Sequence, residues 1–405
     1  MKRILLFLLL LLLCPLLTGC GGGQEIESCL FVLAMAVDPA PDGNLTVTVK
    51  ALSGTQETAA GSLSSSGIAN GAGSAGIPGD ESTPKTGGTG LEATEPGYIV
   101  MSATAKSCLR ALSLLSATTP RTVNLSQLRE VVISRTLAET DATLSILKEI
   151  HAMYRANGEA IVVVTPDNAG DFIRRQRAIL GIRLSKYLEV LFDHFSEMDT
   201  IPPDAQLSSV IAAMESSTTD AAAVYAAGNP FSGTLALAAE SDLDRLPGHL
   251  PRTSPAENEY LGSALFSGPR MTGVLTGEET GLLCLMMDSA QRRITFIGDA
   301  QYKTNLHTRV ARTLGSADGA LEILIRMSLT RIAGDAYEAP DDIAQQIERG
   351  CVSVLQKLQT ASCDAIGFGR IAIRSSLTIP DWEETNWQAS YEMRPVRVRA
   401  KVKVL

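Results

Sequence analysis

Residues 321–329 read LEILIRMSL, and their alternation of apolar and polar positions predicts a β-strand with one buried face. Residues 340–359 read PDDIAQQIERGCVSVLQKLQ, where apolar residues recur at helical spacing and the acidic start suits a helix N-terminus. Residues 396–404 read VRVRAKVKV, which predicts a closing strand with a solvent-exposed basic face. Because strands and a helix lie side by side here, this stretch indicates an α+β fold.

The chain upstream of this stretch mixes strands and helices in the same way. Strands are predicted at residues 30–38, 45–52, 131–134, 161–165, 260–266 and 273–276. Helices are predicted at residues 102–117, 143–154, 171–195 (in two pieces) and 204–214. Alternation along residues 45–52 predicts a half-buried strand, whereas residues 280–288 suit either a helix or a strand.

The chain has 405 residues, a length that suits two or three domains. We expect three dissimilar mixed α/β domains, with mostly antiparallel or mixed sheets flanked by helices, at residues 29–203, 204–290 and 291–405. Residues 53–97 are rich in Gly, Ser, Ala and Thr and have few apolar side chains, so they predict a disordered insertion within the first domain.

The composition excludes several classes of protein. Hydrophobic residues make up 45% of the chain and charged residues 20%, which indicates globular structure rather than general disorder. The net charge of −9, without a basic block, argues against a nucleic-acid-binding protein. It also argues against adhesion to anionic membranes through charge alone.

The N-terminus predicts the compartment of the protein. Lys2 and Arg3 precede a leucine-rich run at residues 4–13, as in a secretory signal that is too short to span a bilayer. The following Leu17-Thr18-Gly19-Cys20 resembles a bacterial lipobox, which implies cleavage between Gly19 and Cys20 and lipidation of Cys20. Residues 1–19 would then be the signal peptide, and residues 20–28 the lipid anchor and tether. The alternative is a buried cysteine after an ordinary signal peptide.

The sequence contains no motif that fits a catalytic or metal-binding site in its expected structural context. The four histidines lack metal-ligand spacing. Residues 367–372 read GFGRIA and match G-x-G-x-x-A, but we predict a helix before them and a strand after them, the reverse of a dinucleotide site. The cysteines outside the signal and the lipid site predict mainly buried thiols, with one or two disulfides as the alternative. These are Cys29, Cys108, Cys284, Cys351 and Cys363.

Four blocks, in order, resemble the GerAC family, the GerC-type lipoprotein subunit of bacterial spore germinant receptors. The blocks are the lipobox with Ala36-Val37-Asp38; residues 98–134; residues 262–283, which include Glu279 and Thr280; and residues 362–369 with Trp387. The insertion at residues 53–97 is longer than the usual connection in the family, and Gln127 stands where the family often has His. The blocks span nearly the whole mature chain.

The resemblance implies three α+β domains on the outer face of the membrane and no enzymatic activity, cofactor, metal or nucleic acid. It implies two partner subunits, a large one with a soluble domain and a transporter-like multispanning one, in a complex that responds to nutrients. The family-motif residues are Glu279, Thr280, Asp364, Gly367, Phe368 and Gly369. We expect structural roles for them, with Asp364 fixing the turn before Gly367 and Glu279 starting a helix.

Two other functions remain open from the sequence alone. An extracytoplasmic solute-binding lipoprotein would have two similar α/β lobes around a cleft, although no internal repeat is visible. A cell-envelope hydrolase anchored through Cys20 would need a nucleophile with a base, or a metal cluster.

Overall fold

The computed structural model describes residues 28–53, 97–153, 155–180, 183–229, 244–252, 254, 256–289, 294–297, 300–304, 308–333, 339–376 and 378–405. The predicted signal peptide, the Cys20 site and almost all of the tether lie outside these residues. So does the predicted insertion, apart from its end residues Ser53 and Gly97. The backbone N–H of Ser53 donates to the carbonyl of Gly97 over 2.9 Å, so the strands on either side of the insertion form one hairpin.

The first sheet has nine strands in the described part of the chain. They are β1 (Cys29–Pro39), β2 (Leu45–Leu52), β3 (Tyr98–Ala105), β4 (Thr122–Asn124), β5 (Glu130–Ser134), β6 (Ile161–Thr165), β7 (Ala222–Gly228), β8 (Asn258–Ser267) and β9 (Arg270–Leu275). The order is β3-β2-β1-β5-β6-β7-β8-β9, with β4 beside β1. Strands β1, β5, β6 and β7 are parallel, whereas both flanks are antiparallel. The sheet is therefore mixed, as the α+β prediction requires.

Helices cover both faces of this sheet. They are α1 (Cys108–Ser116), α2 (Arg135–Ala138), α3 (Ala142–Ala152), α4 (Ala169–Arg175), α5 (Leu184–Glu197) and α6 (Leu207–Met214). Helices α1, α3 and α6 bury their apolar stripes on one face, and α4 and α5 bury theirs on the other. Strand β1 is consequently buried on both sides, which explains its nearly continuous apolar sequence.

The second sheet is smaller and differently connected. Its strands are β10 (Ile294–Ile297), β11 (Ala300–Thr304), β12 (Arg309–Leu314), β13 (Leu321–Ala333) and β14 (Val396–Val404). The long helix α8 (Pro340–Thr360) joins β13 to β14, which lie parallel, and its predicted apolar stripe is buried. The basic side chains of β14 are exposed, as predicted. The remaining helices are α7 (Gly277–Met286), α9 (Gly369–Ala372), α10 (Ile379–Glu384) and α11 (Trp387–Glu392).

The structure confirms most predicted elements, and strands β2, β6 and β14 match to the residue. The predicted helix at residues 102–117 is wrong in its first part, because residues up to Ala105 pair with β2. Helix α1 then begins after Ser107, whose hydroxyl accepts the Arg110 N–H. The prediction of a half-buried β2 is also wrong, since Thr48 and Lys50 on its polar side are buried beneath α4 and the chain that follows it.

The structure also decides two predictions about secondary structure in the C-terminal half of the chain. Residues 277–286 form helix α7 rather than a strand. The strand predicted after the GFGRIA segment is wrong, because Gly369–Ala372 form the short helix α9. Helix α8 is the element that precedes this segment. A dinucleotide site requires a strand at that position, and the described residues form none there.

The first sheet extends across one of the predicted domain boundaries. The boundary between residues 203 and 204 lies between α5 and α6, and the first sheet continues across it because β6 pairs with β7. The division into three domains stays a prediction.

The structure also describes the cysteines, possible groups of metal ligands and possible membrane-spanning helices. Cys29, Cys108, Cys284, Cys351 and Cys363 are all free and buried, which confirms the prediction of buried thiols. Among the described residues, no three His, Cys, Asp or Glu side chains are grouped closely enough to hold a metal ion. Within the same residues, no helix has both the length and the apolar character to span a bilayer.

Candidate functional site

The Asp364 carboxylate lies at the centre of a buried hydrogen-bond cluster. Its Oδ1 accepts the backbone N–H groups of Gly367 and Phe368, both over 2.9 Å. Its Oδ2 accepts the Gly369 N–H over 2.7 Å and the Trp387 indole N–H over 3.0 Å. Burial raises the pKa of Asp364 to about 7, although these donors act in the opposite direction. One side chain thus holds the turn, the start of α9 and the first residue of α11.

The same cluster joins the two sheets. The backbone N–H of Asp364 donates to Asp220 Oδ2 over 2.8 Å, and the Asp364 carbonyl accepts from the Asp220 N–H and the Thr219 hydroxyl, each over 3.1 Å. Asp220 and Thr219 precede β7 of the first sheet. Arg312 of β12 donates to the Ile366 carbonyl over 3.0 Å. The 362–369 block therefore connects the first sheet, the second sheet and the C-terminal helices.

Backbone conformation and lack of space explain why residues 367 and 369 of this block are glycines. Gly367 has φ +80°, in the region that glycine adopts without strain. A Cβ on Gly369 would lie 2.6 Å from the Thr218 carbonyl oxygen and 2.7 Å from Trp387 Nε1. Trp387 itself stacks on Trp382, with ring centroids 6.1 Å apart. The segment thus fits closely against the chain before β7, and a side chain has no space there.

Glu279 and Thr280 lie in the first turn of α7. Thr276 caps the helix by accepting the Glu279 N–H, and the Glu279 carboxylate accepts the Thr276 N–H in return. The Glu279 carboxylate also pairs with Lys357 of α8. The buried Thr280 hydroxyl bonds to the Ser263 hydroxyl of β8 over 2.8 Å. This block therefore joins α7 to β8 and α8, and among the residues that the structure describes it shares no hydrogen bond with the Asp364 cluster.

Asp38, the last residue of the first block, has a similar position at a helix start. Its carboxylate accepts the N–H groups of Ala169 and Gly170, the first residues of α4, over 2.8 and 2.9 Å. Burial raises the pKa of this carboxyl above its usual value. In all three blocks the acidic or hydroxyl group thus bonds to backbone or to a neighbouring element, and the blocks do not converge on one site.

The structure contains a cavity of about 350 Å³ between α5 and β8, here called the α5–β8 cavity, which no sequence pattern predicted. Helix α5, the residues just after α4, and the segment leading into β8 form its walls. Its volume is in the range of small-molecule sites. The described residues also enclose a cavity of about 410 Å³ beside the Asp364 cluster, between Pro203 and Arg370.

A buried polar network lies behind the α5–β8 cavity. Lys50 donates to the Gln176 carbonyl, and the Gln176 side-chain amide donates to Glu130 Oε1 and, over 2.7 Å, to the Tyr260 hydroxyl. Tyr260 donates to Glu130 Oε2 over 3.2 Å. Burial raises the pKa of Glu130 to about 7, whereas Gln176, Tyr260 and Lys50 act to lower it.

The sequence indicates this buried network only weakly. Lys50 occupies a polar position of an alternating strand, and Glu130 immediately precedes the apolar run of β5. A solvent-exposed residue looks the same in sequence. The partners are 126 positions apart for Lys50 and Gln176 and 46 apart for Gln176 and Glu130, so folding alone brings them together.

Comparison with known proteins assigns the family. Residues 22–227 match the model described as "Spore germination protein N-terminal domain". Residues 261–405 match the model described as "Spore germination B3/ GerAC like, C-terminal". The chain belongs to this GerAC-type family of spore germination proteins.

The chain is similar to the structure titled "Crystal Structure of the GerBC protein", with 10% identity and a TM-score of 0.44 over 92% of this chain and 96% of that one. No curated protein matches the chain at a significant level.

Proposed function

We propose that the protein is a non-catalytic, lipid-anchored subunit of a nutrient germinant receptor. Cleavage after Gly19 leaves Cys20 as the acylated first residue, and the acyl chains hold the protein on the outer face of the membrane. There it assembles with a large subunit that has a soluble domain and with a transporter-like multispanning subunit.

The observation that carries this proposal is the extent of the family match. The N-terminal family model begins at residue 22, two positions after Cys20, and the C-terminal one ends at residue 405. The family-matched sequence therefore starts where the lipobox predicts that the mature chain starts. Residues 1–19, which the lipobox assigns to the signal, precede the match.

The bonding of the family blocks favours a binding role over a catalytic one. A general acid or base needs a carboxyl or hydroxyl group that can reach a substrate. Asp364 instead accepts four N–H groups, and Thr280 bonds to Ser263 in the interior. These contacts shape the junctions between elements, and so they shape the outer surface that partner subunits would contact.

The structure does not favour the solute-binding alternative. Two similar α/β lobes would give two sheets of like order. The sheets of the described chain differ instead, since the first has nine strands around a parallel centre and the second has five, mostly antiparallel.

The test uses spores that lack this gene, complemented with the wild type, Cys20→Ala or Cys14→Ala. Cys14 is the matched control because it lies in the predicted signal peptide but outside the lipobox. Dipicolinate release over a panel of nutrients measures germination, and membrane fractionation measures anchoring. We expect Cys20→Ala to lose the membrane fraction and most of the nutrient response, and Cys14→Ala to retain both.

Two outcomes would overturn the proposal. The first is a Cys20→Ala protein that remains in the membrane fraction and restores germination fully. The second is a deletion that changes no nutrient response, together with a tagged protein that co-purifies with no multispanning subunit. Co-purification in the second case separates redundancy between receptors from an incorrect assignment.

A further inference from the structure

We propose that the α5–β8 cavity binds a small molecule with an apolar body and a polar head that carries both N–H donors and a carboxylate. The proposal rests on the wall of the cavity and on three polar atoms without partners. It does not depend on the receptor role proposed above, because binding can be measured on the isolated protein.

The walls of the cavity are mainly apolar. Helix α5 contributes Leu191 and Phe195, Met198 follows directly after it, and β8 contributes Tyr260 and Leu261. Tyr260 is held in place by edge-to-face contacts with Phe172 and Phe192, at 5.6 and 5.4 Å between ring centroids. A rigid aromatic and aliphatic wall of this kind suits the apolar body of a ligand.

Three polar atoms among the lining residues have no hydrogen-bond partner within the described part of the chain. They are Gln176 Oε1, Asn258 Oδ1 and Arg252 Nη2. Gln176 is only 4% exposed. Buried polar groups are nearly always paired, so three unpaired ones around a single cavity point to a molecule that supplies the missing partners.

The orientation of each side chain follows from its other bonds. Gln176 must direct its amide nitrogen to Glu130 and Tyr260, which leaves the oxygen unpaired. Asn258 donates through Nδ2 to the Phe172 carbonyl over 3.0 Å, which likewise leaves its oxygen unpaired. In Asn258, exchange of oxygen and nitrogen would set the amide oxygen against the Phe172 carbonyl, and in Gln176 it would set the oxygen against the ionised Glu130 carboxylate. Both amides are therefore acceptors toward a ligand when Glu130 is ionised.

Arg252 is the complementary donor. Its Nε pairs with Glu259 over 2.6 Å and its Nη1 donates to the Ala256 carbonyl over 2.7 Å, so Nη2 is the nitrogen left for another acceptor. Glu259 is occupied by Arg252 and by the Asn229 side chain and the Gly248 N–H. It therefore does not compete with a ligand carboxylate for Nη2.

The charges around the cavity agree with an anionic group on the ligand. The lining includes Arg175, Arg177 and Arg252 against Glu257 and Glu259. Arg177 is exposed and forms no ion pair in the described part of the chain. Arg175 pairs with Asp167 over 3.6 Å and Arg252 with Glu259, so most of this charge is balanced. The unpaired Nη2 of Arg252 is therefore the group that binds a carboxylate, and the two amide oxygens bind an ammonium or amide N–H.

Binding requires a small adjustment of the wall. The three unpaired atoms have almost no accessible surface, so the lining side chains in front of them must move aside before a head group can reach them, while Gln176 and Asn258 keep their other bonds. A molecule that carries both the donor and the carboxylate gains from all three contacts. Loss of either group leaves buried atoms unpaired, which weakens binding by roughly tenfold or more.

The experiment measures binding calorimetrically to the full-length protein in lipid nanodiscs. The probes are leucine, phenylalanine and tryptophan, each with an apolar body and both head groups. Two analogues each lack one group, 3-phenylpropionate the ammonium and phenethylamine the carboxylate. We expect at least one amino acid to bind, and each truncated analogue to bind at least about tenfold more weakly than phenylalanine.

Variants locate the site. Leu191→Trp fills the cavity and should abolish binding, whereas Leu114→Trp makes the same change at an exposed leucine of α1 and should leave binding unchanged. Arg252→Lys keeps a cation beside Glu259 but removes Nη2, so it should weaken phenylalanine roughly tenfold and leave phenethylamine unaffected. Thermal unfolding checks that each variant is folded.

Three results would each overturn the proposal. One is the absence of binding by all three amino acids at millimolar concentration. Another is equal affinity for phenylalanine and its two truncated analogues, which would show apolar partition without head-group recognition. The third is full binding by a folded Leu191→Trp protein, which would place the ligand elsewhere. Each result leaves the germination experiment with the Cys20 variants unaffected.

Discussion

Substitution of Gly369 by alanine tests how closely the 362–369 block is fitted to the first sheet. The added Cβ would lie 2.6 Å from the Thr218 carbonyl oxygen, closer than real Cβ atoms come to a neighbour. The obstacle is backbone, which cannot rotate away as a side chain can. The α9 start must therefore shift, and the shift pulls the Gly369 N–H away from Asp364.

The magnitude follows from these contacts. Overpacking of a buried site costs about 1–3 kcal/mol. Stretching the bond to the buried Asp364 carboxylate, now 2.7 Å long, adds about 1.5–3 kcal/mol. The better helix propensity of alanine returns up to about 1 kcal/mol. We expect a net loss of roughly 1.5–6 kcal/mol in the free energy of unfolding of this region.

Gly350→Ala is the matched control within α8. Its Cβ would lie 2.8 Å from Leu282 Cδ1, the flexible end of a side chain that can move. Alanine in a helix interior is favoured over glycine by about 0.8–1 kcal/mol. We therefore expect Gly350→Ala to unfold within about 1 kcal/mol of the wild type, on the more stable side.

Tryptophan fluorescence during urea unfolding is a suitable assay. The chain has only two tryptophans, and both Trp382 and Trp387 lie in this region. The Trp387 indole bonds to Asp364, so the emission reports on the affected contacts directly. Equal urea midpoints for Gly369→Ala and the wild type would refute the steric argument, as would an equal loss in Gly350→Ala.

Three other substitutions have defined expectations. The pKa of the Glu130 carboxyl is raised from 4.5 to about 7, so the folded state holds a proton that the unfolded state has lost, and this group by itself should lower stability by about 2–3 kcal/mol between pH 5 and pH 7. Because the pKa of Asp364 is also raised to about 7 and acts in the same direction, Glu130→Gln should reduce the slope of stability against pH in urea titrations but not abolish it. Thr280→Val leaves the buried Ser263 hydroxyl unpaired and should lower stability by about 1–2 kcal/mol, whereas Thr280→Ser should retain most of it; equal stability of both would contradict the bond. Lys357→Ala removes an exposed ion pair with Glu279 and should change stability by less than about 1 kcal/mol, which a larger shift in the same titration would disprove.

Regular elements were largely predictable because their signals are local. The alternation of β13 and β14 and the apolar stripe of α8 place side chains on one face at fixed periods, whatever the rest of the chain does. The errors occurred where a distant partner decided the outcome. Residues 102–105 form a strand because β2 pairs with them, and α9 forms because Asp364 accepts the N–H groups at its start.

The candidate sites were predictable to different degrees. Asp364 and Gly367 could be placed at a turn from the spacing of acidic residue and glycine, and the lipobox around Cys20 is a contiguous pattern. The link from Asp364 to Asp220 spans 144 positions, and no local pattern announces it. The α5–β8 cavity was not predictable, because its walls come from segments that become neighbours only in the folded chain.

By itself, the sequence determined the mixture of strands and helices, the order of the family blocks and the acidic character of the chain, and it contains the pattern at Leu17–Cys20 that resembles a lipobox. These properties depend on residues that are adjacent or periodically spaced. The tertiary structure alone decided that Lys50 and Glu130 are buried and that Gln176, Arg252 and Asn258 surround one cavity. The physical reason is that a polar side chain is stable in the interior only with partners, and those partners are brought to it by the packing of α4 and α5 on the sheet that includes β8.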